Sequence, residues 1–282
     1  MDAGGLGADE QAAADLSIGE ARRHQRVSTP VTWVRRDVSS PEIDRRHVAK
    51  TAIAGYLLLT LALLLVGWIA HHLVFHDAIG DAELDFTRWV SEHRNGFLDS
   101  MARTGSSLSD SFTVIGVAFG ATVMLWATGH RPQAVVLPVA LVVELTVFLT
   151  VSTLVGRDRP AVDPLGAVPS TSSFPSGHVA AALVLYVGLV VIAASLNPRH
   201  RVNRVGAVFA ALAVLYVASS RVYEGVHHPT DVLVGVALGI GALFIGCKAA
   251  GLTTSPTRER DTRAADPMRV PQYESLRIGT SQ

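Results

Sequence analysis

Charge is scarce in this chain. Only 17% of its 282 residues are Asp, Glu, Lys or Arg, against 49% hydrophobic residues. That balance is too apolar for an ordinary soluble domain of this size and points to a membrane protein. The 24 Lys and Arg are matched by 24 Asp and Glu, so no net basic field exists to attract nucleic acid, and a nucleic-acid partner is excluded. Cysteine is almost missing. Cys247 stands alone inside an apolar run, which rules out an intramolecular disulfide and any multi-cysteine zinc or iron–sulfur site; it reads as a small buried apolar residue. No internal repeat and no midplane-broken apolar segment is visible, which argues against a transporter.

What the chain does have is a series of apolar runs, at about Thr51–Phe75, Phe112–Thr128, Ala134–Val155, Val179–Leu196, Val205–Ser219 and Val232–Leu252. Several approach the ~20 residues that a helix needs to cross a bilayer. The first begins too deep in the chain, and is too long, for a cleaved signal peptide. Residues 1–45 and 253–282 are charged or proline-bearing without apolar period, and read as disordered cytoplasmic tails. Ser17 and Glu20 form a weak capping-box pattern within the first tail.

Loop charge sets the sidedness, because Lys and Arg concentrate on the cytoplasmic side. Arg35, Arg36, Arg45, Arg46 and Lys50 precede the first run and put the N-terminus inside. With six crossings, His130–Arg131, then Arg199, Arg201 and Arg204, then Lys248 and Arg258 all fall inside too. The short fifth run is therefore kept as a crossing. The expectation is an all-α six-transmembrane-helix bundle over residues 46–252 in the plasma membrane, with both termini cytoplasmic. His76–Ser111 carries Leu84, Phe86, Trp89, Val90, Phe97, Leu98 and Met101 among polar residues. It reads as an extra-cytoplasmic amphipathic segment between helices 1 and 2. Trp89 and Phe97 suit interfacial anchoring more than a lipid entrance.

Three short motifs lie just outside the runs and face the same outer side: Arg159–Pro160, Pro175–Ser176–Gly177–His178, and Ser220–Arg221 with His227 and Asp231. Phosphoryl transfer from an ester needs cations on the nonbridging oxygens, an in-line nucleophile and an acid for the leaving oxygen. Arg159 and Arg221 offer planar, permanently charged forks for phosphate. A lone arginine near a membrane end usually anchors to headgroups; two beside histidine-bearing motifs read better as a clamp. Ser176 and Gly177 sit where a helix start presents free N–H groups, so they can hold an anion while also capping the helix. His178 is the candidate general acid. His227 and Asp231 are four residues apart; in a helical turn the carboxylate would reach one imidazole nitrogen and leave the other to attack phosphorus. His228 points elsewhere and reads as structural or interfacial.

These motifs resemble the type 2 phosphatidic acid phosphatase family, integral-membrane lipid phosphatases whose active-site pattern is shared with vanadium haloperoxidases. The resemblance spans about Thr51 to Leu252, and the Pro-Ser-Gly-His and Ser-Arg-x5-His-x3-Asp combination is highly specific. It implies a metal-independent, cofactor-free hydrolase acting on a phosphomonoester or pyrophosphate of a lipid such as phosphatidic acid, phosphatidylglycerol phosphate or polyprenyl pyrophosphate. His227 would become phosphorylated, Asp231 would support it and His178 would protonate the leaving group. Arg159, Ser176, Gly177 and Arg221 would hold the phosphate.

One position departs from that pattern. The family has a lysine seven residues before the arginine of Arg-Pro, where this chain has Ser152. Arg157, two residues before Arg159, is the expected substitute as a phosphate ligand. Glu144, an acid inside the third run, is expected to play a structural role bonded to a neighbouring helix. The missing lysine keeps open a non-catalytic membrane protein that binds lipid phosphates, while six apolar runs argue against vanadate-dependent halide oxidation.

Overall fold

The computed structural model describes residues 43–75 and 77–253. The Ser17–Glu20 capping pattern, and the tail assignments over residues 1–42 and 254–282, lie outside these described residues. The described chain is all-helical, with eight helices: α1 Arg45–Leu73, α2 Ala78–Glu92, α3 Gly96–Ser107, α4 Ser111–Ala127, α5 Arg131–Val155, α6 Gly177–Leu196, α7 His200–Tyr223 and α8 Pro229–Ala249.

Local chemistry marks the boundaries. Asp44 caps α1 by accepting from the N–H groups of Arg46 and His47, and Asn95 caps α3 by accepting from Leu98 N at 3.0 Å. Gly156, at φ 63°, ends α5 in the left-handed region that an L side chain resists. Pro132 and Pro229 occupy the first turns of α5 and α8, where the lost N–H is no cost.

Five helices, α1, α5, α6, α7 and α8, are each long and apolar enough to cross a membrane. A sixth span forms if α3 and the 17-residue α4, bent by 41°, are taken together. The apolar run Val205–Ser219 is only the middle of α7, which its polar ends extend to 24 residues.

The core lies among α5, α6 and α8, and small residues permit their close approach. A Cβ on Gly246 would come 2.7 Å from Val136 O, and one on Gly239 would come 2.9 Å from Ala180 O. Outward faces carry the opposite chemistry: Leu58 and Leu61 of α1 are 70% and 68% exposed, as expected for side chains that meet lipid.

The amphipathic segment is two helices, α2 and α3. Their polar faces, not their apolar ones, pack on the bundle: Gly80, Glu83 and Thr87 of α2 and Gly105 and Ser106 of α3 are buried. Phe86, Trp89 and Phe97 point outward, the orientation of helices lying at a membrane interface.

Candidate active site

The α5–α6 loop brings Arg157 to Thr230 and Asp231 at the start of α8, and Arg159 to Val226 just before it. Ser173 N donates to Arg157 O at 2.9 Å and its hydroxyl donates to Asp158 O at 2.8 Å, so the loop doubles back on itself. Ser152, where a lysine is expected, ties this loop down: its Oγ accepts from Ser172 N and lies 3.1 Å from Ser172 Oγ. The α6 start is locked to α8 through Ser176 N donating to Asp231 O at 3.0 Å. Gly235 makes that approach possible, since a Cβ there would stand 2.5 Å from Ser176 O.

Arg159 spans the site. Its Nη1 donates to Val226 O at 2.6 Å and its Nη2 to Thr171 O at 3.0 Å. Burial, then the charge of Arg221, lowers its pKa, against a smaller opposing pull from Asp231. Arg221 Nη1 donates to Ser106 Oγ at 2.8 Å and to Glu224 Oε2 at 2.7 Å. Burial pushes the Glu224 carboxyl up, against the pull of Arg221. Among the buried side-chain atoms without a protein hydrogen bond are Arg159 Nε, Arg221 Nε and Ser176 Oγ. Buried donors are normally satisfied. These three come one from each motif, and an unpaired donor is the kind of group from which an oxyanion accepts.

His227 is 3% exposed. Its Nδ1 lies 2.6 Å from Ser173 O. A carbonyl only accepts, so Nδ1 carries the proton and Nε2 keeps its lone pair. Burial above all, with Arg221 and Arg159 adding to it, pushes the imidazole down to about 3, although Asp231 opposes the shift. The ring is therefore neutral at pH 7, as a nucleophile must be. His178, at the start of α6, lines the same cleft as His227, Arg159 and Gly177, and its Nε2 lies 3.8 Å from the Asp110 carboxylate.

Two expectations change here. Asp231 does not hydrogen-bond His227; its Oδ2 stands 4.0 Å from His227 Nδ1. His227 precedes the helix, so the i,i+4 geometry of a helical turn does not apply to it. The carboxylate instead turns back to accept from His228 N at 2.8 Å, and lies 3.2 Å from His228 Nδ1. His228 is the N-cap residue of α8, which agrees with a structural role.

Arg157 is also placed differently. Its Nη1 meets Asp231 Oδ1 at 2.6 Å, its Nη2 meets Glu83 Oε2 at 2.9 Å, and its guanidinium lies 3.8 Å from the centroid of the Phe75 ring. A guanidinium committed to two buried carboxylates and a ring face has little left for phosphate. In this arrangement both of its terminal nitrogens are held by carboxylates, one of them Asp231.

Glu83, Ser106, Ser173 and Glu224 were not singled out by the sequence. Glu224 follows Arg221 by three residues at the end of a helix, a spacing that could have found it. Glu83 also accepts from Thr230 N at 2.6 Å, 147 residues away in the chain, and no local pattern announces such a contact. Glu144 differs from its expected role. It is buried and lines the cleft, and among the described residues it has no hydrogen bond or ion pair to a neighbouring helix.

The cleft, of about 320 Å³, runs from His227, Arg159 and His178 down between α4, α5 and α6 to Val114, Leu141 and Leu145. Ile115 and Leu145 on its walls are 65% and 52% exposed.

Comparison with known proteins agrees with this geometry. The sequence profile of the PAP2 superfamily matches residues 132–251, which include all three motifs. YbjG of Escherichia coli (strain K12), to which an undecaprenyl-diphosphatase activity is ascribed, is 34% identical over 148 residues, covering 50% of this chain and 67% of YbjG. The crystal structure of a transmembrane PAP2-type phosphatidylglycerolphosphate phosphatase from Bacillus subtilis superposes with a TM-score of 0.58 at 23% identity, over 71% of this chain and 97% of that one. That likeness supports the fold. With its three motifs gathered in one cleft of a membrane bundle, the chain belongs to the PAP2 superfamily of lipid phosphatases.

Proposed function

We propose that this lipid phosphatase works through a phosphohistidine on His227, at the extra-cytoplasmic face of the membrane. The observation that carries the mechanism is the set of unpartnered buried donors, Arg159 Nε, Arg221 Nε and Ser176 Oγ, contributed by the motifs that surround a neutral His227. A phosphate held there would have its nonbridging oxygens neutralised in a site of low dielectric, where such contacts count most.

The chemistry then runs in two balanced steps. The lone pair on His227 Nε2 forms a bond to phosphorus as the bond to the lipid oxygen breaks, and His178 gives that oxygen its proton. In the second step His178 takes a proton from water, the water oxygen bonds to phosphorus, and the P–N bond breaks to free the ring. Ser173 O holds the Nδ1 proton throughout. Asp231, at 4.0 Å, stabilises the positive charge that develops on the ring.

Loop charge supports the outer-face placement. Arg45, Lys50, Arg131 and Lys248 lie near the bundle end opposite the site, where His47 Nε2 contacts Lys248 O at 3.3 Å. The test is phosphate release in detergent from phosphatidic acid, phosphatidylglycerol phosphate and polyprenyl pyrophosphate, with chelator present. Release by the wild-type protein that is absent in His227→Ala is the expected result. Turnover that disappears with chelator, or persists in His227→Ala, contradicts the mechanism. A reporter fused to the α5–α6 loop and found in the cytoplasm contradicts the placement.

A further inference from the structure

The cleft contains one acidic group that phosphoryl transfer does not use. Glu144 is 5% exposed, lies inside α5 and lines the same cleft as His178, yet among the described residues no group hydrogen-bonds or ion-pairs with it. An acid placed in an apolar span without a partner is costly, and such residues are generally kept for a ligand or a relay.

Its depth can be read from the helix register. On the antiparallel helices α5 and α6, Phe148 faces Gly177, with 3.1 Å from its ring to a Cβ built there, and Leu137 faces Gly188 at 2.7 Å. Glu144 therefore lies level with Ala181, another residue of the cleft wall. That is one turn, about 6 Å, below the Gly177 level at which phosphate is held. A lipid whose phosphate sits on Arg159 and Ser176 thus presents to Glu144 whatever follows its phosphate by a few bonds. In a glycerolipid monophosphate that is the ester linkage of the glycerol backbone; in a polyprenyl or simple alkyl monophosphate it is hydrocarbon, and in a pyrophosphate it is the second phosphate.

We propose that Glu144 is a specificity-determining residue that hydrogen-bonds the ester carbonyl of a glycerolipid phosphate, so that the cleft selects diacylglycerol-based substrates over plain hydrocarbon chains. In its acid form the side chain supplies the one O–H donor that a carbonyl requires. A site built to hydrogen-bond a substrate discriminates against analogues lacking the group, because its own polar atom is then left unpaired. The inference rests on the lipid phosphatase reading above and adds a substrate class to it.

The test uses the full-length protein in mixed micelles, with diacyl phosphatidic acid and a long-chain alkyl monophosphate as substrates, and reads the ratio of their kcat/KM values. Glu144→Leu is expected to lower the diacyl-to-alkyl ratio about tenfold, the worth of one hydrogen bond to a buried acid. Glu144→Gln, which keeps a donor, is expected to hold the ratio within about threefold of wild type. A ratio unchanged in Glu144→Leu, whether both activities fall together or neither falls, overturns the assignment. So does an equal loss of the ratio in the two variants. A wild-type protein that hydrolyses neither monophosphate overturns the phosphatase reading itself, and the inference with it.

Discussion

Asp231 stands 4.0 Å from Nδ1 of His227, beyond hydrogen-bond reach, although the two share a motif and a site. The proton on that nitrogen goes to Ser173 O at 2.6 Å instead. Main-chain geometry therefore fixes the tautomer, and Asp231 contributes only its charge. Asp231→Asn is accordingly expected to lower kcat by about 10–100-fold with little change in KM. Where a carboxylate does set the tautomer, as in serine proteases, the same change costs about 10⁴-fold. Steady-state kinetics separate the two, and a loss near the larger figure would return tautomer control to Asp231.

Arg157 is predicted to support the site without touching substrate. Removing it leaves Asp231 and Glu83 as buried carboxylates without their cation, at a cost of about 3–5 kcal/mol. Arg157→Ala should lower the thermal midpoint in detergent and lower kcat, while KM stays near the wild-type value. Because Glu83 and Arg157 act as one unit, a double-mutant cycle in thermal stability should give a coupling of about 1–3 kcal/mol. A large rise in KM without loss of stability would show Arg157 to be a phosphate ligand after all.

The buried neutral His227 ties stability to pH. Above its unfolded value of about 6.5 the ring is neutral in both states and has no effect on the balance. Below that, the unfolded chain takes up a proton that the folded chain refuses until about pH 3. Stability should therefore fall by about 1.4 kcal/mol per pH unit, or about 2 kcal/mol between pH 6.5 and pH 5. His227→Gln should remove this part of the slope. Thermal unfolding of the two proteins across that range is the check, and parallel curves would show that the ring is charged in the folded protein.

Gly235 holds α8 against the Ser176–Gly177 turn. A Cβ there meets the backbone oxygen of Ser176 at 2.5 Å, and backbone cannot turn aside as a side chain can. Gly235→Ala should shift Ser176 and lower activity by at least about tenfold, since misplacement on the ångström scale is costly in catalysis. Gly116→Ala on α4, where nothing lies within 4 Å, should leave activity intact and stabilise the helix by up to about 1 kcal/mol. Activity assays on the two variants test the contrast, and equal activities would remove the packing argument.

Much of this was legible in the chain because it is local. The apolar runs gave the membrane bundle, since span length is imposed by bilayer thickness and shows in any sequence window. The short run Val205–Ser219 was harder, because α7 is completed by Arg201 and Arg204 at one end and Ser220 and Arg221 at the other, residues that apolarity cannot detect. The motif residues His178, His227, Arg159 and Arg221 stand out in the sequence because each lies beside a helix end, where phosphate chemistry has a recognisable composition. The partners were not visible. The spacing of His227 and Asp231 pairs them only in a helical turn, and α8 begins two residues after His227, at Pro229. Glu83 meets Arg157 across 74 residues, and only the packing of α2 on the bundle brings them together. Glu144 stood out as an acid in an apolar run, but whether it faced a helix or a cleft depended on the α5–α6 register.

The central claim is that His227 carries the phosphoryl group. Rapid quenching of the full-length protein with radiolabelled phosphatidic acid, labelled in the phosphate, tests it most directly. The account predicts protein-bound label that is lost in acid, stable in alkali and absent from His227→Ala. Phosphate release at the wild-type rate by His227→Ala, or label retained on that variant, would contradict it.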